Sequence, residues 1–228
     1  MALLAMSLLL HCADLNGPMP TPTPTKAPKT VRFLALGDSY TIGESVAEPE
    51  RWPNQLATFL KSQAVEVDTT WIIARTGWRT DNLMDGINLA QPDSSFNLVG
   101  LCIGVNNQYQ GRPIAQYELE FRQLLARSIA HAGGRKELVF ILSYPDYGYT
   151  PFGASNLASI SLQVDAFNAV SKRVAEEKGI QYFDIVDISR QGLVEPDLVA
   201  SDGLHPSGKQ YGEWIASIQT HVFEMLER

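Results

Sequence analysis

The stretch LALGDSYTIGES, residues 34–45, closes an apolar run that begins at Val31 and stops abruptly at Gly37-Asp38-Ser39. Val31-Arg32-Phe33-Leu34-Ala35-Leu36 reads as a buried strand, because a short apolar run bounded by small and polar residues fits a strand covered on both faces. Ser39 then stands directly at the strand's exit, next to a helix start. Taken alone, a serine after aspartate in this position reads first as a helix cap.

Working outward, apolar runs alternate with amphipathic stretches. The candidate strands are residues 31–36, 65–74, 97–105, 137–144 and 181–186, and the candidate helices are 52–61, 79–89, 114–132, 157–178 and 207–226. Gly133-Gly134 and Gly179 mark helix ends, while Pro53 and Pro113 suit helix starts. The alternation predicts an α/β fold, a mostly parallel five-stranded sheet with helices on both faces. Parallel strands deliver their carboxyl-end loops to one edge, where ligands bind. The loops so gathered are GDSYTIG, RTGWRT, NNQYQGRP and YPDYGYTPFGAS.

The 228 residues are 45% hydrophobic, which is enough for one sizeable core, and the net charge is −7 from 18 basic and 25 acidic residues. With no basic cluster or aromatic-basic interleaving, nucleic acid is excluded as a partner. No metal-ligand spacing appears either.

A serine nucleophile needs a base. Of the four histidines, His11 falls in the amino-terminal segment, His131 near a helix end and His221 inside the last helix. His205 lies in SDGLHPSGKQYGEWI, three residues after Asp202. That spacing across a glycine-containing turn lets the carboxylate hold one ring nitrogen while the other faces the crevice. Acyl transfer also needs donors for an oxyanion. Gly77 offers close backbone approach and Asn106 a side-chain amide. Singly, Asp202 and Gly77 are explained as turn residues and Asn106 as a local backbone partner.

Together GDSY, the Gly77 loop, GVNN and DGLH resemble, in this order, the SGNH hydrolases, the GDSL esterase/lipase family. The resemblance spans residues 33–208. Tyr40 stands where the family's name has leucine. The resemblance implies a flavodoxin-like three-layer α/β/α sandwich and a serine esterase working through an acyl-enzyme. It assigns catalysis to Ser39, Asp202 and His205, and the oxyanion hole to Ser39, Gly77 and Asn106. It requires no cofactor and no metal. Asp38 is expected to bond nearby backbone rather than to serve as the catalytic acid.

For substrate, Trp78, Tyr109 and Tyr147, with Tyr149 and Phe152, are candidates to line an acyl or sugar pocket. Short loops without a long apolar lid favour small acyl esters, such as carbohydrate acetyl groups, or lysophospholipid-like substrates over triglycerides. The alternative is a non-catalytic surface protein that binds glycan or lipid on the same fold.

Residues 1–12, MALLAMSLLLHC, form a signal-like apolar segment too short to span a membrane. Leu9-Leu10-His11-Cys12 resembles the bacterial lipobox, although His11 occupies a position where a small residue is usual and no Lys or Arg precedes the run. Residues 13–30 are a Pro/Thr-rich linker, and residues 31–228 are the hydrolase domain. The expected location is outside the cytoplasm, as a periplasmic or cell-surface bacterial lipoprotein tethered through Cys12. A plain cleaved signal peptide is the alternative.

Overall fold

The computed structural model describes residues 30–227; the signal-like segment with His11 and Cys12, and all but the last residue of the linker, lie outside the described residues. Five strands, β1 (Thr30–Gly37), β2 (Glu66–Ala74), β3 (Leu98–Cys102), β4 (Val139–Leu142) and β5 (Gln181–Phe183), pair in parallel in the order β2-β1-β3-β4-β5. The helices are α1 (Ser39–Ile42), α2 (Trp52–Ser62), α3 (Thr80–Ala90), α4 (Val105–Tyr109), α5 (Ile114–His131), α6 (Leu157–Lys178), α7 (Val186–Ser189) and α8 (Gly208–Leu226). The helices pack as two groups: α2 against α8, and α5 between α3 and α6. The sheet lies between these groups, giving three layers.

The five strand expectations fall on the five strands, but four run too long, that of β2 by Val65 alone. The apolar run 97–105 stops being strand at Cys102, because Gly104 turns at φ +138° and Val105 opens α4. Likewise β4 is preceded by a 3₁₀ turn, Lys136–Leu138, and Val186 belongs to α7 rather than to β5. At the end of β3 (Cys102, Ile103) and the start of β4 (Leu138, Val139) both sides of the boundary are apolar and buried, so hydropathy does not change where the backbone does; β5 instead stops at exposed Asp184, inside the expected run. Ser207 caps α8 instead of starting it, its hydroxyl accepting from the Gln210 amide at 3.2 Å.

The core is fixed by aromatic rings. Phe33 on β1, Trp52 on α2 and Phe140 on β4 lie with centroids 5.9 to 6.2 Å apart, and Phe183 on β5 extends the group at 5.8 Å from Phe140. These rings meet over Gly100 of β3. A Cβ there would stand 2.7 Å from the Phe140 ring and 2.9 Å from the Trp52 ring.

The strand order places the site. From β1 the chain steps outward to β2, then returns across to β3 on the other side of β1. The loops leaving β1 and β3 therefore diverge and open a crevice at the carboxyl edge.

The rings over β3 give a stability prediction. Gly100→Ala overpacks a closed aromatic contact and should cost about 1–3 kcal/mol. Urea unfolding should show a lower midpoint with an unchanged slope.

Candidate active site

At the switch point, Ser39, Tyr40, Thr76, Gly77, Val105, Asn106, Tyr109, Tyr147, Phe152, Leu204 and His205 line one pocket of about 260 Å³. Residues more than 160 positions apart in sequence thus meet in one crevice. The sequence reading expected the loops after the first four strands to be neighbours, and each of them contributes lining residues.

Ser39 is the first residue of α1. The turn is tight because β1 ends on Gly37, where a Cβ would lie 2.1 Å from Thr41 Oγ1 and 2.4 Å from the Cys102 carbonyl oxygen. Asp38 caps α1, accepting from the Tyr40 amide at 3.0 Å, and is fully buried. It bonds local backbone, as expected from the sequence. Burial pushes its carboxyl up to about 7, against the lowering effect of backbone amides at Tyr40, Asp38 and Gly104.

His205 and Asp202 form a pair. His205 Nδ1 and Asp202 Oδ2 are 2.6 Å apart, and Asp202 Oδ1 accepts from the Leu204 and His205 amides at 2.9 Å each. Gly203, at φ +74°, shapes the turn between them. The loop is closed by the Ala200 amide donating to the His205 carbonyl at 2.8 Å and the Ser207 amide donating to the Leu198 carbonyl at 2.9 Å. The Tyr40 ring meets the imidazole edge-on, centroids 5.7 Å apart. Burial works against ionisation of Asp202. Hydrogen bonds from Ser45, from the His205 amide and ring and from the Leu204 amide outweigh it and hold the carboxyl below the usual range.

Gly77 sits at φ +83°, and among the described residues no atom beyond its own and its chain neighbours' lies within 4 Å of where its Cβ would be. Its backbone is open to the pocket. Asn106 donates from Nδ2 to the Trp78 carbonyl at 3.0 Å. An amide carries two such hydrogens, so this bond orients the group and leaves the second one to the pocket that Asn106 lines. Asn107, which the sequence reading did not single out, makes a two-way bond to Thr80: it accepts from the Thr80 amide at 3.0 Å and donates to its hydroxyl at 2.6 Å. This buried pair clamps the Gly77 loop to α4. Nothing in the dipeptide Asn106-Asn107 distinguishes the pocket residue from the clamp.

The aromatic expectations divide. Tyr109, Tyr147 and Phe152 form one cluster, with ring centroids 6.1 to 6.4 Å apart, along the pocket wall. The loop that carries Tyr147 and Phe152 is held from beneath by buried Asp146, which accepts from Arg190 Nε at 3.1 Å and from the Gly148 amide at 2.9 Å. Trp78 is a correction. It is not among the lining residues; its indole is packed against α3, where a Cβ on Gly86 would stand 2.2 Å from it. Tyr149 lies instead under the Arg190 guanidinium, 6.0 Å from ring to cation.

Residues 35–212 match the family model described as GDSL-like Lipase/Acylhydrolase. No curated protein matches the chain by sequence. Among solved structures, a member of the lipolytic protein G-D-S-L family from Veillonella parvula DSM 2008 is similar at 19% identity and TM-score 0.62, over 83% of this chain and 98% of that one. The psychrotrophic esterase EstA from Pseudoalteromonas sp. is similar at 16% identity and TM-score 0.64, over 86% and 99%. The acetylxylan esterase Axe2 from Geobacillus stearothermophilus gives 16% identity and TM-score 0.63, over 88% and 96%. At these identities the likeness is one of fold.

The buried Asp38 carboxyl predicts a pH dependence of stability. The unfolded chain releases this proton near 3.8, whereas the native state holds it to about 7. Between these values the native state binds more protons, so stability falls as pH rises from about 4 to about 7 and levels off above. The slope from this one group is at most about 1.4 kcal/mol per pH unit. Urea midpoints measured across that window should fall less steeply in Asp38→Asn than in the wild type; parallel curves would remove Asp38 as the cause.

Proposed function

Because this chain belongs to the GDSL-like lipase/acylhydrolase family and is a carboxylic ester hydrolase, we propose that it works through an acyl-enzyme on Ser39 and acts on short-chain esters. The observation that carries the reading is the Asp202–His205 pair, 2.6 Å apart, in a pocket that Ser39 also lines.

In this reading His205 Nε2 takes the Ser39 proton as Oγ attacks the ester carbonyl, and Asp202 supports the imidazolium so formed. The Ser39 and Gly77 amides and the Asn106 side chain bear the oxyanion. His205 then passes the proton to the leaving alcohol, the C–O bond breaks, and an acyl group remains on Ser39. Water repeats the sequence, with His205 as its base, and releases the carboxylic acid.

Short acyl groups are favoured by size. A pocket of about 260 Å³ is smaller than the roughly 300–1,000 Å³ that encloses a drug-sized ligand, so a long chain would have to lie outside it. The exposed rings of Tyr109 and Phe152 at its wall suit an apolar acyl group or a sugar face. Axe2, a similar fold, is an acetylxylan esterase. Carbohydrate acetyl groups are therefore the favoured substrate class over lysophospholipid-like esters.

We also propose export and tethering through Cys12, on the strength of the Leu9-Leu10-His11-Cys12 sequence and the Pro/Thr-rich segment after it.

Two experiments test these readings. On a nitrophenyl ester series from acetyl to long acyl chains, kcat/KM should be highest for the short members, and Ser39→Ala should lose at least about a thousandfold. A rise with chain length would move the substrate to lipids, and activity unchanged in Ser39→Ala would remove the nucleophile. Mass spectrometry of the membrane-extracted mature protein should find a lipidated cysteine, residue 12, at its amino terminus; cleavage elsewhere in a protein that partitions to the soluble fraction would overturn the tether.

A further inference from the structure

Asp202 Oδ2 accepts from two groups. One is His205 Nδ1, and the other is the hydroxyl of Ser45, which donates to it at 2.6 Å across 157 positions of sequence. Ser45 belongs to the turn that leaves α1, the helix that begins with Ser39. Gly43 and Glu44 in this turn donate their amides back to the Ser39 carbonyl, both at 3.0 Å. On its other side the turn is tied to the Gly77 loop, because the Thr76 hydroxyl donates to the Glu44 carboxylate. A single three-residue turn therefore touches the backbone of the nucleophile, the loop of the open glycine and the acid behind the base.

Ser45 also occupies a backbone position where serine is a costly choice. Its φ is +66°, in the left-handed region, although the residue is not glycine. Glycine would adopt this conformation without strain. The side chain is largely outside the core, so burial does not explain it. What serine adds over glycine here is the hydroxyl, and that hydroxyl is spent on Asp202.

Resting on the triad reading above, we propose that Ser45 is a positioning residue for the hydrolysis: its hydroxyl fixes the Asp202 oxygen that orients His205. The two backbone amides on Oδ1 anchor one end of the carboxylate, but they leave it free to rotate about that anchor. Ser45 supplies the second point. With both ends held, Oδ2 meets His205 Nδ1, and Nε2 is turned toward the pocket that Ser39 lines. Since the turn is itself bonded to the Ser39 carbonyl, the acid and the nucleophile are referred to the same piece of backbone.

The strained backbone makes the test clean, because Ser45→Gly removes the hydroxyl and relieves φ together. Thermal stability should hold or rise. With a nitrophenyl ester of short chain, kcat should fall roughly tenfold while KM stays within about twofold, since the hydroxyl reaches the reaction only through Asp202 and His205. Ser45→Asn, which tolerates the left-handed region and restores an N–H donor, should recover most of kcat. The second readout is the low-field proton resonance of His205 Nδ1–H, which should broaden in Ser45→Gly and return in Ser45→Asn. A kcat unchanged in Ser45→Gly overturns the proposal, and so does a fall in kcat with the resonance unmoved. Ser39→Ala should keep this resonance. Loss of ester hydrolysis as a function would therefore be seen separately from failure of the Ser45 link.

Discussion

The closeness of β1 to its surroundings at Gly37 governs the site. With a Cβ there excluded by Thr41 and by the Cys102 carbonyl of β3, the strand ends in contact with its neighbour and α1 folds back at once. Ser39 is consequently two residues beyond the sheet, at the point where the loops of β1 and β3 part. Any side chain at position 37 would push α1 off β3, because a close-packed interior has no slack to absorb it. The nucleophile's position thus follows from a missing side chain two residues away.

Two aspartates near the site show how environment divides one residue type into two roles. Asp38 is buried under α1, and burial raises its pKa toward neutrality. Asp202 sits at the edge of its turn, where four hydrogen bonds favour the charged form over the burial that opposes it. The ionised one is therefore available to support a protonated histidine, and the buried one serves to cap a helix. Tyr40 connects them: its amide donates to Asp38, and its ring lies against His205.

That Ser39, Gly77 and Asn106 would gather at one edge was legible because each follows a strand or opens a helix there, and His205 was legible from its spacing to Asp202; the four line one pocket. Asp202 was legible because its partner is only three residues away. Ser45 and Asn107 were not, since their partners lie in other loops and their residue types are unremarkable for turns. Trp78 misled for a related reason. It adjoins Gly77 in sequence, but Gly86 on α3 leaves a space that its ring fills, and packing turned it away from the pocket.

The sequence by itself determined the alternation of strands and helices, the parallel sheet, and the short-range features that depend on neighbouring residues: the bond of Asp38 to nearby backbone, the Asp202–His205 spacing and the glycines that end helices. These follow from periodicity and from contacts a few residues long. That Asp38 rather than Ser39 is the cap was decided by the structure. The strand order, the ends of β3 and β5, the membership of the aromatic wall and the bond from Ser45 to Asp202 were decided only by the tertiary structure. Each depends on which distant surfaces come into contact, and the local run of hydropathy carries no information about that.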